Sequence, residues 1–211
     1  MISPNKIIGS LVFRTRESLN KNHKFLSNVL EYAYGNNFLV KGKFSLWHYP
    51  GTGNEISNEL LSIGKHPQGI RVKFPSILNF QPIRQDKIGD SVDINYNIAI
   101  VCLVNNIWTT QKREEEVFEH ILRPIYEEFI RQIQLCNYFI LDYGIPPHTY
   151  YEIFTTGDSA GDMIKKYGDC IDAIELHGLK LRLNTRLCKS DIALIEDENK
   201  KVTQLIYEIL K

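Results

Sequence analysis

The 211-residue chain lacks a surplus of charge: 25 Lys and Arg cancel 25 Asp and Glu, leaving a formal net charge of zero. That excludes a nucleic-acid coat and a polybasic membrane binder, because counterion-release binding needs excess cation. Cysteine is scarce too, with four in all, at 102, 136, 170 and 188, and no CxxC pair and no histidine at zinc-ligand spacing. Cys102 lies in an apolar run and Cys136 beside Leu135, so buried thiols are expected, not bridges. No stretch approaches the roughly 18 apolar residues of a membrane span, and MISPNKIIGSLVF lacks a signal-peptide core and cleavage site, so synthesis in a cytoplasm is expected. Internal repeats and low-complexity segments are absent as well. What remains is an ordinary globular composition, 43% hydrophobic and 24% charged, long enough for one sizeable core.

The neutral total hides an asymmetry. Residues 1–110 carry twelve Lys and Arg against seven Asp and Glu, and residues 111–211 carry thirteen against eighteen. Either the two halves form opposite faces of a dipolar subunit that pairs with its own copies, or the charges merely segregate along the chain.

Periodicity predicts a helix over 14–34, with Leu19, Leu26, Val29, Leu30 and Tyr34 on one stripe and Gly35-Asn36-Asn37 as its stop. Residues 38–49 read as a strand bent at Gly42, 54–65 as a short amphipathic helix closed by Gly64, and 70–75 continuing into 76–80 as extended chain. The clearest strand is 91–104. Val92, Ile94, Tyr96, Ile98, Ile100, Cys102 and Val104 face one way, and Asp93, Asn95 and Asn97 wet the first half of the other face, as in a strand that projects beyond the domain body. Thr109 or Thr110 caps a long helix to about Leu135, with a kink expected at Pro124. Residues 137–168, with Pro146-Pro147, read as a long hairpin or extended loop whose aromatics Tyr143, Tyr150, Tyr151 and Phe154 need cover. In 170–183 the apolar phase shifts at His177-Gly178, the mark of a bulge or tight turn. A short helix over about 199–210 closes the chain. The fold class is α+β, a mainly antiparallel sheet with helices packed on one face, organised as one domain over 1–184 with an extension at 185–211.

Chemical signatures are weak. Gly51-Thr52-Gly53 precedes a helix but lacks the Gly-Lys-Ser/Thr ending of a phosphate loop, and turn chemistry explains it. The six histidines form no HExxH or HxH pair, and no GxSxG elbow exists. Asp162, Asp169, Asp172 and Glu175 surround one strand and suggest a Mg²⁺-dependent nuclease, although His177 stands where a lysine would be expected. No catalytic residue, metal or cofactor is expected. Trp47 and Trp108, the two tryptophans, sit at predicted strand ends as core or interface anchors.

Four pieces together resemble the tail-completion, tail-terminator and neck proteins of tailed bacteriophages. They are the N-terminal amphipathic helix, the Lys73-Phe-Pro-Ser-Ile-Leu78 strand, the strand Val92–Val104 feeding the Trp108–Ile133 helix, and the closing Asp172–Leu181 strand. The likeness covers about 14–135 and 165–184 and has no catalytic motif to transfer. It implies a tail-terminator-like α+β subunit, a virion structural protein that assembles as a homo-oligomeric ring at the head–tail junction. Its partners would be copies of itself and neighbouring portal, connector or tail rings, with DNA passing the lumen unbound and no membrane contact. Residues expected at the contact are Trp47, Tyr49, Asp93, Asn95, Asn97, Trp108, Tyr150 and Tyr151. The segments 137–168 and 185–211 exceed a minimal subunit and leave neck ring and terminator both open. The alternatives are the nuclease, or a monomeric adaptor with a single apolar patch.

Overall fold

The computed structural model describes residues 3–88, 91–141, 144–155, 158–184 and 187–211. Its centre is a sheet in the order β3-β4-β5-β8-β6, built on three 13-residue strands, β4 (Ser76–Ile88), β5 (Ser91–Leu103) and β8 (Ile171–Leu183). The short β3 (Trp47–Gly51) runs parallel to β4 along 76–80, and every other pairing is antiparallel. On its far margin β8 carries two short strands, β6 (Phe139–Ile140) at its C-terminal end and β7 (Thr149–Ile153) over 173–177. The molecule is therefore α+β, with helices packed against a mainly antiparallel sheet.

Alternation in β5 decides the layers. None of Val92, Ile94, Tyr96, Ile98, Ile100, Cys102 and Val104 is more than 5% exposed; this dry face meets a long helix over 110–135, and the Tyr96 hydroxyl reaches the Pro4 carbonyl at the start of α1 (Pro4–Leu19) at 3.4 Å. That long helix is α5 (Thr110–Arg113), a π-helical stretch Glu114–Leu122 and α6 (Arg123–Leu135). Thr109 caps it, its hydroxyl accepting from the Lys112 N–H at 3.3 Å. Pro124 has no N–H to return to the preceding turn, and the wider π register ends beside it, where the Arg123 N–H reaches five residues back to the Phe118 carbonyl.

The expected helix over 14–34 is two helices. Asn20, Lys21 and Asn22 break it: the Asn22 side chain caps α2 (His23–Glu31) through the Phe25 N–H at 3.1 Å, and Asn20 grips the backbone of Phe44 from both sides. Residues 38–49 are a hairpin of β1 (Leu39–Val40) and β2 (Lys43–Phe44), turned by Lys41-Gly42 at positive φ, followed by β3. A helix α3 (Gly53–Ile63) follows, with a capping box from Thr52 and Glu55, so Gly51-Thr52-Gly53 is turn chemistry. The alternating Ile70–Lys73 is one helical turn, α4, not a strand. Four residues are too few for periodicity to separate the two.

Two further helices depart from expectation. Within 137–168 lies α7 (Asp158–Tyr167). The closing helix α8 (Lys189–Leu210) is 22 residues long and lies along α1, with Ile195 and Glu198 buried in the seam. Glu198 takes the Ser10 hydroxyl and the Arg14 guanidinium, so the C-terminal segment belongs to the core. The cysteines are free, with 102, 136 and 170 buried as expected and Cys188 exposed.

Candidate functional site

Bulges crease the sheet at Tyr96-Asn97. Between Phe80 and Arg84, three residues of β4 oppose one of β5, and between Tyr96 and Ile98 two residues of β8, His177-Gly178, oppose Asn97. Gly178 has φ +63° and gives its N–H to the Asn97 side chain at 3.0 Å, so the phase shift read at this dipeptide is a bulge pinned by Asn97. Below the crease α3 and α4 close the outer face, while above it that face is a polar ribbon.

Cross-strand partners place the ribbon's side chains. Asp86, Asp93, Arg182 and Ile140 form one row, and Arg84, Asn95 and Lys180 the next, all on one face. Asp93 is 1% exposed beneath two half-exposed cations, Arg182 at 2.9 Å and Lys180 at 3.1 Å. Hydrogen bonding from Arg182 holds the Asp93 carboxyl below its ordinary value. One acid with two bases leaves a net positive floor. Beside it, where β6 ends and β7 has not begun, a notch of about 230 Å³ is walled by Ile140, Ile145 and Pro146-Pro147. Ile145 is 61% exposed, and nearby the Gln134 side chain ties the end of α6 to the Gly144 carbonyl at 3.0 Å. The notch thus joins an apolar rim to a cationic base.

The far margin of β7 is held from behind by the long helix. Arg123 clamps both oxygens of Glu152, at 2.8 and 2.9 Å, and also binds Glu114. Tyr150 sends its hydroxyl to Glu152 and packs edge-on against Tyr126 at 4.9 Å. His148 joins Tyr126 at 3.0 Å and the Pro146 carbonyl at 2.7 Å, which fixes the proline wall of the notch. Tyr151 is exposed and meets His177 edge-on at 5.2 Å.

The Arg123 clamp sets a pH dependence. Arg123 holds the Glu152 carboxyl below its ordinary 4.5, so its stabilisation is complete above that value and is lost as pH falls through the lower folded value. Glu152→Gln is expected to cost about 1 kcal/mol near neutrality, the clamp being partly solvated. Thermal melts at pH 7 and pH 2.5 check this: the gap between variant and parent should close in acid, and a constant gap would contradict the clamp.

The expected contact residues divide into groups. Asp93, Asn95 and Asn97 lie on the ribbon, and Tyr150 and Tyr151 on the β7 margin across the crease. Trp47 and Tyr49 are instead core anchors, 0% and 2% exposed, with the indole N–H on the Arg71 carbonyl at 2.8 Å and the Tyr49 hydroxyl on the Val72 carbonyl. Both polar tips are satisfied by α4, the turn misread as a strand. Trp108 stands at the other end of β5, against Tyr32 and Tyr34 and under Lys112. Sequence reading missed Lys180, Arg182 and the Arg123–Glu152 clamp. A signal for the first pair was present: both cations alternate in phase on the strand that closes the fold.

Of the carboxylates of the nuclease alternative, the three whose side chains are described do not converge. Asp169 binds Lys73, Asp172 is buried against Arg113, and Glu175 meets His177 at 2.8 Å, while the Asp162 side chain and Tyr143 lie outside the described residues. Among the described residues no three His, Cys, Asp or Glu gather as a metal site, and no helix is long and apolar enough to cross a membrane.

The charge asymmetry finds partners inside the molecule. Lys6–Glu196, Arg14–Glu198 and Lys41–Glu208, at 3.3, 3.0 and 2.8 Å, each join the basic first half to the acidic second half, as does Lys73–Asp169. The halves interleave and do not form opposite faces. Set against protein-family models, curated proteins and solved structures, the chain matches none.

Proposed function

We propose that the chain is a non-enzymatic virion structural protein, a subunit of a homo-oligomeric ring at the phage head–tail junction. One observation carries the reading: the sheet has two open edges on opposite margins. β3 pairs with β4 only along 76–80, so 83–88 has no backbone partner on its outer side among the described residues, and neither does β7 on the margin away from β8. Open edges of five or six residues invite strand pairing and are ordinarily blunted. Two different edges on opposite margins suit a heterologous contact, β4 of one copy against β7 of the next, which closes into a ring by rotation. Above the crease the polar ribbon and its notch would face the same neighbour or the adjoining portal, connector or tail ring. DNA would pass the lumen without specific binding, consistent with a net charge of zero. Light scattering of concentrated protein, followed by imaging of the particles, tests the reading: closed rings are expected, and a strict monomer at high concentration would sink it.

A further inference from the structure

A second cavity, of about 400 Å³, opens between α3 and α8 at the end of β3, away from both edges and from the notch. Gly9 of α1 lets three elements meet at its base, because a Cβ there would stand 2.2 Å from Asn199 Oδ1 and 3.1 Å from His48 Nδ1. Its walls are apolar, from Ile63, Val202, Ile206 and Leu210.

The hydrogen-bonding inventory of the lining is lopsided. Asn199 gives both amide hydrogens away, to the Lys6 carbonyl at 2.8 Å and the Ile195 carbonyl at 2.7 Å, which leaves Oδ1 as an acceptor. His48 Nε2 is buried and has no partner, and burial lowers this imidazole to about 4, so it is neutral at physiological pH. Glu59 at the rim has neither hydrogen bond nor ion pair among the described residues, and partial desolvation holds its carboxyl above the ordinary value. Tyr207, 65% exposed, adds an aromatic ring at the mouth. An apolar chamber of this size with a few convergent polar groups is the usual form of a small-ligand site, and here they include an amide oxygen free to accept and one carboxylate.

We propose that this cavity binds an organic cation, an alkylammonium whose apolar body lies between α3 and α8 and whose head donates to Glu59 and Asn199. The assignment is independent of ring assembly. It is tested by titrating n-hexylammonium, 1-hexanol and n-hexanoate into the full chain while following the methyl resonances of Ile63, Val202, Ile206 and Leu210. Saturable shifts are expected with hexylammonium, with hexanoate at least about tenfold weaker. Glu59→Gln should weaken hexylammonium about tenfold, the effect of losing one charge-assisted hydrogen bond, and leave hexanol unchanged. Absence of saturable shifts, equal binding of hexanoate, or an unchanged hexylammonium affinity in Glu59→Gln would overturn the proposal. Joint loss of hexanol and hexylammonium binding in that variant would overturn the role given to Glu59.

Discussion

Asp172→Ala is expected to lower the unfolding free energy by about 3–5 kcal/mol, the cost of stripping one partner from a buried ion pair. Asp172 is fully buried and Arg113 is 1% exposed, with Nη1 of Arg113 3.1 Å from Oδ1 of Asp172. The same guanidinium donates to the Thr155 carbonyl and, at 3.2 Å, to the Asn106 carbonyl, while Asp172 also accepts the Thr155 N–H at 2.8 Å. One pair therefore ties the first turn of the long helix, the loop after β5 and the segment after β7 to β8. In Asp172→Ala the cation stays in the interior with carbonyl partners alone, and the Thr155 N–H loses its acceptor. Asp172→Asn keeps an acceptor for Thr155 and should cost less than Asp172→Ala. Burial pushes the Asp172 carboxyl above its ordinary value, so acidification favours its folded form, opposite in sign to Glu152. Urea midpoints for the three proteins measure the effect, and a loss below about 1 kcal/mol for Asp172→Ala would show that the pair does not anchor these elements.

The second large effect is all or none. Arg84 and Tyr151 stand on the same face of the sheet, one on each open margin, since Arg84 pairs with Asn95 and Tyr151 reaches Ala99 through Glu175. In a Cys188→Ser background, which removes the exposed native thiol, Arg84→Cys combined with Tyr151→Cys is expected to give a disulfide ladder under mild oxidation. Each single cysteine variant should give none. Only a heterologous contact yields a ladder, because an isologous contact stops at a dimer. Denaturing electrophoresis reads the outcome directly. Dimers from either single variant would replace the ring with a two-fold contact, and monomers throughout would remove the edge-to-edge contact altogether.

The residues separate what was legible from what was not. The ladder of apolar side chains from Val92 to Val104 announced a strand with one dry face, and the broken phase at His177-Gly178 announced the bulge, because a period of two is a local property of extended chain. Thr109, Pro124 and the stripe from Phe118 to Ile133 similarly marked the long helix. The short runs failed. Ile70–Lys73 alternates over too few residues to choose between turn and strand, and its identity as a turn is what puts Trp47 and Tyr49 in the core, where its carbonyls satisfy them. The candidate site was half visible: the polar face of β5 named Asp93, Asn95 and Asn97, while Asp93 is buried rather than wet and its surroundings come from β6, β8 and the Pro146-Pro147 wall.

By itself, the sequence determined an α+β chain with one core, free thiols and no charge surplus, all of which follow from composition and from periodicities read within a dozen residues; the strand expected to project, β5, is instead held between β4 and β8 along nearly its whole length, with Asp93 buried. Only the tertiary structure decided that the basic and acidic halves pair within the molecule along α1 and α8, that Asp93 lies under Lys180 and Arg182, and that two strand edges on opposite margins have no partner among the described residues. These features join residues some 90 to 190 positions apart. Local propensity fixes which face of an element is dry, and the partner across that face is chosen only when the whole core closes.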